Sequence, residues 1–80
     1  MESWKKQLRK MPRDGRARAL AALTLLFARD FGALDRKQLK GYDAIFRIRV
    51  GGYRIIYHDD GEKITIKAIR RRNETTYRDF

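Results

Sequence analysis

Residues 45–58 read IFRIRVGGYRIIYH, and the alternation in this stretch decides the fold. A period of two places Phe46, Ile48 and Val50 on one side of an extended segment and Ile45, Arg47 and Arg49 on the other. Gly51-Gly52 then reads as the loop of a primed hairpin turn, which sets Val50 opposite Tyr53, Arg49 opposite Arg54, Ile48 opposite Ile55 and Phe46 opposite Tyr57. One face of the hairpin is apolar and aromatic; the other carries arginines.

Asp60-Gly61 is a second primed-turn signal. It predicts Tyr57 opposite Ile64, Ile55 opposite Ile66 and Arg54 opposite Lys67. On that register three strands, residues 44–50, 53–58 and 63–70, share an apolar face made of Phe46, Ile48, Val50, Tyr53, Ile55, Tyr57, Ile64, Ile66 and Ala68. The opposite face collects Arg47, Arg49, Arg54 and Lys67. Like charges directly opposite each other destabilise a sheet by roughly 0.2–1 kcal/mol per pair, so Arg49 facing Arg54 works against stability and points to an anionic ligand.

Working back toward the N-terminus, Ser3 caps a first helix whose Trp4, Leu8 and Met11 recur at helical spacing, and Pro12 ends it. Asp14 caps a second, longer helix that runs to Gly32 as its left-handed C-terminal cap. Its inward stripe passes through Leu20, Leu23, Phe27 and Phe31, with alanines allowing close approach. The short joint between the helices predicts an antiparallel helical hairpin. Residues 35–42 (DRKQLKGY) read as a connecting segment anchored by Leu39, with Gly41 a turn residue, and residues 70–80 (RRRNETTYRDF) as a tail that is polar except for Tyr77 and Phe80. Residues 1–80 form one domain without internal repeats or linkers. The fold class is α+β, a helical hairpin packed on one face of a three-stranded or larger antiparallel sheet.

Twenty Lys and Arg against ten Asp and Glu leave a net charge of +10, which favours a polyanionic partner. Nucleic acid comes first, because the planar fork of arginine suits phosphate; an acidic protein comes second. A membrane surface fits poorly, since the basic residues fall on a sheet and not on an amphipathic helix. The longest apolar stretch, residues 19–28, is far short of the roughly 20 residues that span a bilayer. The chain has no cysteine and one histidine, which excludes a disulfide framework and thiolate metal site, and the expectation is a soluble, cytoplasmic protein with no metal and no cofactor. His58 reads as a solvated residue at a strand end.

The constellation suited to chemistry is Arg47, Arg49, Arg54 and Lys67, joined from the tail by Arg71, Arg72 and Tyr77. Cations stabilise phenolate over phenol, so a tyrosine ringed by arginines has its pKa lowered from about 10 and becomes a general base. Arginines then stabilise a pentavalent phosphate.

The run LKGYDAIFRIRVGGYRIIY followed by ITIKAIRRRNETTYR resembles the RelE/ParE superfamily of bacterial toxin–antitoxin toxins: a leucine-lysine-glycine segment, a basic RxR strand, a GxYR strand ending in tyrosine, and an arginine-rich tail with tyrosine. The first helix and its proline break, WKKQLRKMPRD, are similar to the family's as well. The resemblance implies a RelE-like fold and a metal-independent endoribonuclease that cuts mRNA in the ribosomal A site by attack of the 2′-hydroxyl on the adjacent phosphate, neutralised by a cognate antitoxin. By position it implies catalytic roles for Arg47, Arg49, Arg54, Arg72 and Tyr77, and RNA contacts for Lys67, Arg70 and Arg71; for the tail arginine, counting from the strand favours Arg72 and counting back from Tyr77 allows Arg71. ParE-like members share the fold but poison DNA gyrase, so gyrase inhibition is the first rival reading and a non-catalytic RNA- or ribosome-binding module the second. Family members begin with a strand before the first helix, whereas here three residues precede Trp4. Either the true start lies upstream, or the chain dispenses with that strand and leaves a sheet edge open, and the expectation is that this edge is taken up by a second copy or an antitoxin segment.

Overall fold

The computed structural model describes residues 3–71. Helix α1 (Trp4–Lys10) starts as read: the Ser3 hydroxyl accepts the Lys6 N–H at 3.3 Å, and Met11 and Pro12 leave the helix in extended conformation. Helix α2 (Arg13–Phe27) begins two residues earlier than an Asp14 cap predicts, with Pro12 at the capping position. Asp14 instead lies in the first turn, where its charge complements the helix dipole.

The expectation of a helix running to Gly32 is corrected at its C-terminus. Ala28 caps α2, and Arg29, at φ +59°, takes the left-handed position. The Arg29 N–H donates to the Leu26 carbonyl (3.0 Å) and the Asp30 N–H to the Leu25 carbonyl (2.9 Å), which is the Schellman pairing. A short 3-10 turn, Phe31–Ala33, follows.

The inward stripe also moves. Ala19, Ala22, Leu23 and Leu26 are buried, whereas Leu20 and Phe27 are 49% and 52% exposed. These buried positions follow the i, i+3, i+4, i+7 pattern of one helix face, and its alanines let the backbone of α2 approach the sheet. Gly15 extends that close approach: a Cβ there would stand 3.1 Å from the Tyr53 ring.

Four strands follow, β1 (Asp35–Gln38), β2 (Ile45–Val50), β3 (Tyr53–Asp59) and β4 (Ile64–Arg71), forming one antiparallel sheet in chain order. The β2–β3 register matches the reading pair for pair, from Ile45 opposite His58 to Val50 opposite Tyr53. Only the first glycine of the turn, Gly51, has a positive φ, +58°, as a type II′ turn requires. Residues 35–38, read as part of a connecting segment, are strand β1, pairing Asp35 with Arg49 and Gln38 with Phe46.

The β3–β4 register is corrected. Asp59 pairs with Ile64, so four residues and not two make the loop. Two aspartates hold it open: Asp59 Oδ1 accepts the Gly61 N–H, and Asp60 Oδ1 accepts the N–H groups of Glu62 and Lys63. Tyr57 therefore faces Ile66 instead of Ile64. A bulge follows, with Ile56 opposite Ala68, Ile55 opposite Ile69 and Arg54 opposite Arg70. Lys67 is the extra residue, which shifts the alternation by one. Ile66 and Ile69 consequently both join the core, and Ala68 passes to the other face.

Helices α1 and α2 cover a single face of the sheet, where Met11 and the buried α2 residues pack with Ile48, Ile55, Tyr57, Ile66 and Ile69. No strand precedes α1 among the described residues. At the β4 edge the Ile69 N–H donates to Gln7 Oε1 of α1 at 2.9 Å, so part of the edge expected to be open is satisfied from within the chain. Among the described residues no helix is long and apolar enough to cross a membrane.

Candidate functional site

The face of the sheet away from the helices carries two rows of side chains that run straight across the strands. One row is Asp35, Arg49, Arg54 and Arg70; the next is Lys37, Arg47, Ile56 and Ala68. Both follow from the registers, since directly opposite residues share a face. Between this face and the β1–β2 loop lies a cavity of about 330 Å³ lined by Lys37, Leu39, Tyr42, Arg47, Arg49 and Arg54, among others.

The basic residues singled out from the sequence do not play equal parts here. Arg47 is buried, 6% exposed, and its Nη1 donates to the carbonyl and to Oδ1 of Asp35, at 3.3 and 3.4 Å. It forms the floor of the cavity, with buried Leu39, Ile56 and Ala68 as its apolar surroundings on that face. Arg49 is exposed and Arg54 half-buried, and both stand at the cavity wall. Arg70 extends the row beyond Arg54. Lys67 does not oppose Arg54 as expected, because the bulge displaces it. Arg71 pairs with Tyr53, a position that alternates to the helix-covered face, and together with Arg70 it lines a second cavity of about 240 Å³ with Gln7, Lys10, Met11 and Tyr53. Arg72 and Tyr77 lie outside the described residues. His58 is half-buried, between Ile45 and Thr65.

Three arginines in file across adjacent strands concentrate positive potential on one face. Guanidinium groups are weakly hydrated and present forked donors, so this arrangement suits oxygens of a phosphate or carboxylate. Among the described residues no group of three or more His, Cys, Asp or Glu is placed to hold a metal ion.

The helix-covered face contains a polar cluster that alternation did not disclose. The guanidinium of Arg36 lies between the rings of Phe31 and Phe46, 4.1 and 4.0 Å from their centroids. Its Nε donates to the Tyr57 hydroxyl at 2.5 Å, and its Nη2 is 3.9 Å from Asp59. Arg29 adds a forked contact to Asp59 at 3.1–3.2 Å. Burial raises the Tyr57 pKa above 10.0, against the opposing pull of Arg36, so this phenol stays protonated and is no base. Burial also pushes the Asp59 carboxyl upward, but the Gly61 N–H, Arg29 and Arg36 outweigh it and leave the pKa below the ordinary 3.8. Arg36 lies in residues 35–42, a mostly polar segment without apolar alternation that gives no signal for it. Tyr42, at the end of that same stretch, was also passed over as a site residue; an aromatic directly after a turn glycine and close to the RxR strand is the signal that could have found it.

The sequence and the fold can be set beside known proteins. A family model described as the ParE toxin of the type II toxin–antitoxin system parDE matches residues 2–76. In a crystal structure titled as the RelB–RelE antitoxin–toxin complex from Methanococcus jannaschii, one chain is similar to this one at 29% identity with a TM-score of 0.76, over 100% of this chain and 95% of that chain. No curated protein matches. A sheet carrying an arginine row on one face and two helices on the other, matched by the family over nearly its whole length, makes this chain a member of the ParE toxin family, within the RelE/ParE superfamily of type II toxin–antitoxin toxins.

Proposed function

We propose that this toxin acts as a metal-independent endoribonuclease on mRNA in the ribosome, and that a separate antitoxin holds it inactive. The observation that carries the reading is the row Arg49, Arg54 and Arg70, three cations across three neighbouring strands. Such a row costs stability in the resting protein and is repaid by an anion that several guanidinium groups contact at once. In RNA cleavage that anion is the scissile phosphate. The 2′-oxygen forms a bond to phosphorus while the bond from phosphorus to the 5′-oxygen breaks, and the arginines stabilise the extra negative charge of the pentavalent transition state. Arg47, fixed by Asp35, backs the site from its floor. Tyr77 and the tail arginine, Arg71 or Arg72, are assigned to proton transfer and phosphate contact on the family resemblance. Lys67, Arg70 and Arg71 are assigned to RNA binding, Arg70 as the outer member of the row. The relative from Methanococcus jannaschii is titled as an antitoxin–toxin complex, which supports an antitoxin as the partner here.

The test is to add the purified toxin to translating ribosomes and map RNA ends. Cuts at a fixed place within A-site codons support the reading; intact mRNA sinks it. The second reading, poisoning of DNA gyrase, is favoured by the ParE description of the matching family model, and a supercoiling assay with purified gyrase reads it directly.

A further inference from the structure

The loop between β1 and β2 is held more firmly than its polar composition suggests. Gly41 and Ala44 both have positive φ, +85° and +64°, and alanine takes that conformation only where its surroundings impose it. The constraints are visible on both sides. The Leu39 N–H donates to the Ile45 carbonyl (2.9 Å), the Tyr42 N–H to the Leu39 carbonyl (3.3 Å), and the Asp59 N–H of β3 to the Ala44 carbonyl (2.9 Å). Gln38 Nε2 reaches the Tyr42 carbonyl at 3.5 Å, and Leu39 is buried beneath. Held this way, half-buried Tyr42 lines the same 330 Å³ cavity as Arg47, Arg49 and Arg54.

A cationic face that merely solvates a sheet, or that meets acidic side chains, has no use for an aromatic wall fixed beside its guanidinium groups. A nucleotide does. Its phosphate needs the cations, and its base needs a flat apolar surface on which to stack. The cavity lies at the small end of the roughly 300–1,000 Å³ typical of ligand sites, a scale that suits one nucleotide and not a folded partner. We propose that Tyr42 is a positioning and specificity residue: it stacks one unpaired base of single-stranded RNA, so that the neighbouring phosphate is delivered to Arg49 and Arg54. This rests on the RNA-cleaving reading above and adds to it a base-recognition element in the β1–β2 loop.

The experiment measures single-turnover cleavage on ribosomes programmed with a defined A-site codon. It compares wild type, Tyr42→Phe, Tyr42→Leu and Tyr42→Ala on normal codons and on codons carrying one abasic nucleotide at each position in turn. Removing a stacking ring costs roughly 5- to 150-fold, so Tyr42→Ala and Tyr42→Leu should slow by that factor while Tyr42→Phe keeps its rate. At one abasic position wild type and Tyr42→Ala should cut equally, because no base remains to stack. A Tyr42→Ala protein as fast as wild type overturns the proposal. So does one slowed equally on every codon, abasic ones included, since that marks a structural role. A Tyr42→Ala that weakens only antitoxin binding overturns it in favour of an acidic peptide as occupant. Should Tyr42→Ala lose its thermal transition, Tyr42→Leu against Tyr42→Phe decides the same question. Wild type that cuts no codon defeats the ribonuclease reading itself, an outcome distinct from all of these because no Tyr42 variant is then involved.

Discussion

Arginines on the two faces of this sheet are in opposite situations. On the covered face Arg36 is enclosed by two aromatic rings, a phenol oxygen and a carboxylate, and Arg29 grips the same carboxylate. On the other face Arg54 stands in a row with Arg49 on one side and Arg70 on the other. The first set is matched to partners that folding supplies. The second stands beside like charges on the neighbouring strands, an arrangement that a bound anion would stabilise. The comparison teaches that charge count alone, +10 for the chain, says little until each cation is assigned to a face.

The strongest test of that contrast removes the middle of the row. Arg54→Ala should slow ribosome-dependent cleavage by about 10²–10³, the usual cost of deleting one group aimed at transition-state charge. Its thermal midpoint should hold or rise, because repulsion from two neighbouring positions is relieved. A variant that melts early would place Arg54 with the structural arginines and end the contrast.

The converse substitution is Arg36→Ala. It removes two cation–π contacts and leaves the buried Tyr57 hydroxyl without its donor, together about 2–4 kcal/mol. In a domain of this size that corresponds to a fall in melting midpoint of about 10–20 °C, with the cleavage rate at low temperature unchanged. Loss of cleavage in folded protein would show that the covered face takes part in function.

A smaller effect is expected from acid. Asp59 and Asp60 are both held below their ordinary 3.8, Asp60 by the Lys63 and Glu62 N–H groups. Each is harder to protonate folded than unfolded, so its contribution is complete above the unfolded pKa and disappears as pH falls through the folded one. Melting midpoints should therefore be flat near pH 6 and decline below about pH 4. Asp59→Asn should make that decline shallower, and an unchanged decline would remove Asp59 from the account.

The smallest effect concerns Arg29. Glycine there relieves a left-handed conformation that costs a side-chain-bearing residue about 1–2 kcal/mol, but it deletes a half-exposed ion pair worth about 0.2–1 kcal/mol. Arg29→Gly should thus lie within about 1 kcal/mol of wild type in urea unfolding, whereas Arg29→Ala, which keeps the strain and loses the pair, should be clearly weaker. Equal stability of the two variants would mean that the backbone at the end of α2 relaxes.

Much of this molecule could be read from local chemistry. The period-2 run of residues 45–58 and its glycine pair determine the β2–β3 register, because a two-residue turn admits one pairing and because a slip would turn Ile48 and Ile55 out to solvent. Ser3 and Pro12 likewise mark α1, since capping and the proline restriction act over three or four residues. Arg47, Arg49 and Arg54 follow from the same hairpin, and the family resemblance adds the tail. Tertiary structure decided the rest, wherever two local rules competed or neither spoke. Asp60-Gly61 signalled a two-residue turn, but the paired aspartates bond to four-residue loop amides, and a bulge at Lys67 then lets Ile66 and Ile69 both reach the core. Strand β1 has no apolar alternation and exists because β2 offers it an edge. Leu20 and Phe27 satisfied the helical period as well as Ala19 and Leu26 did, and close approach to the sheet chose the side with the alanines. The contacts of Arg36 with Phe46, Tyr57 and Asp59 join different strands and no local pattern encodes them, whereas Tyr42, near the RxR strand in sequence, is set beside the arginine row by the constrained β1–β2 loop.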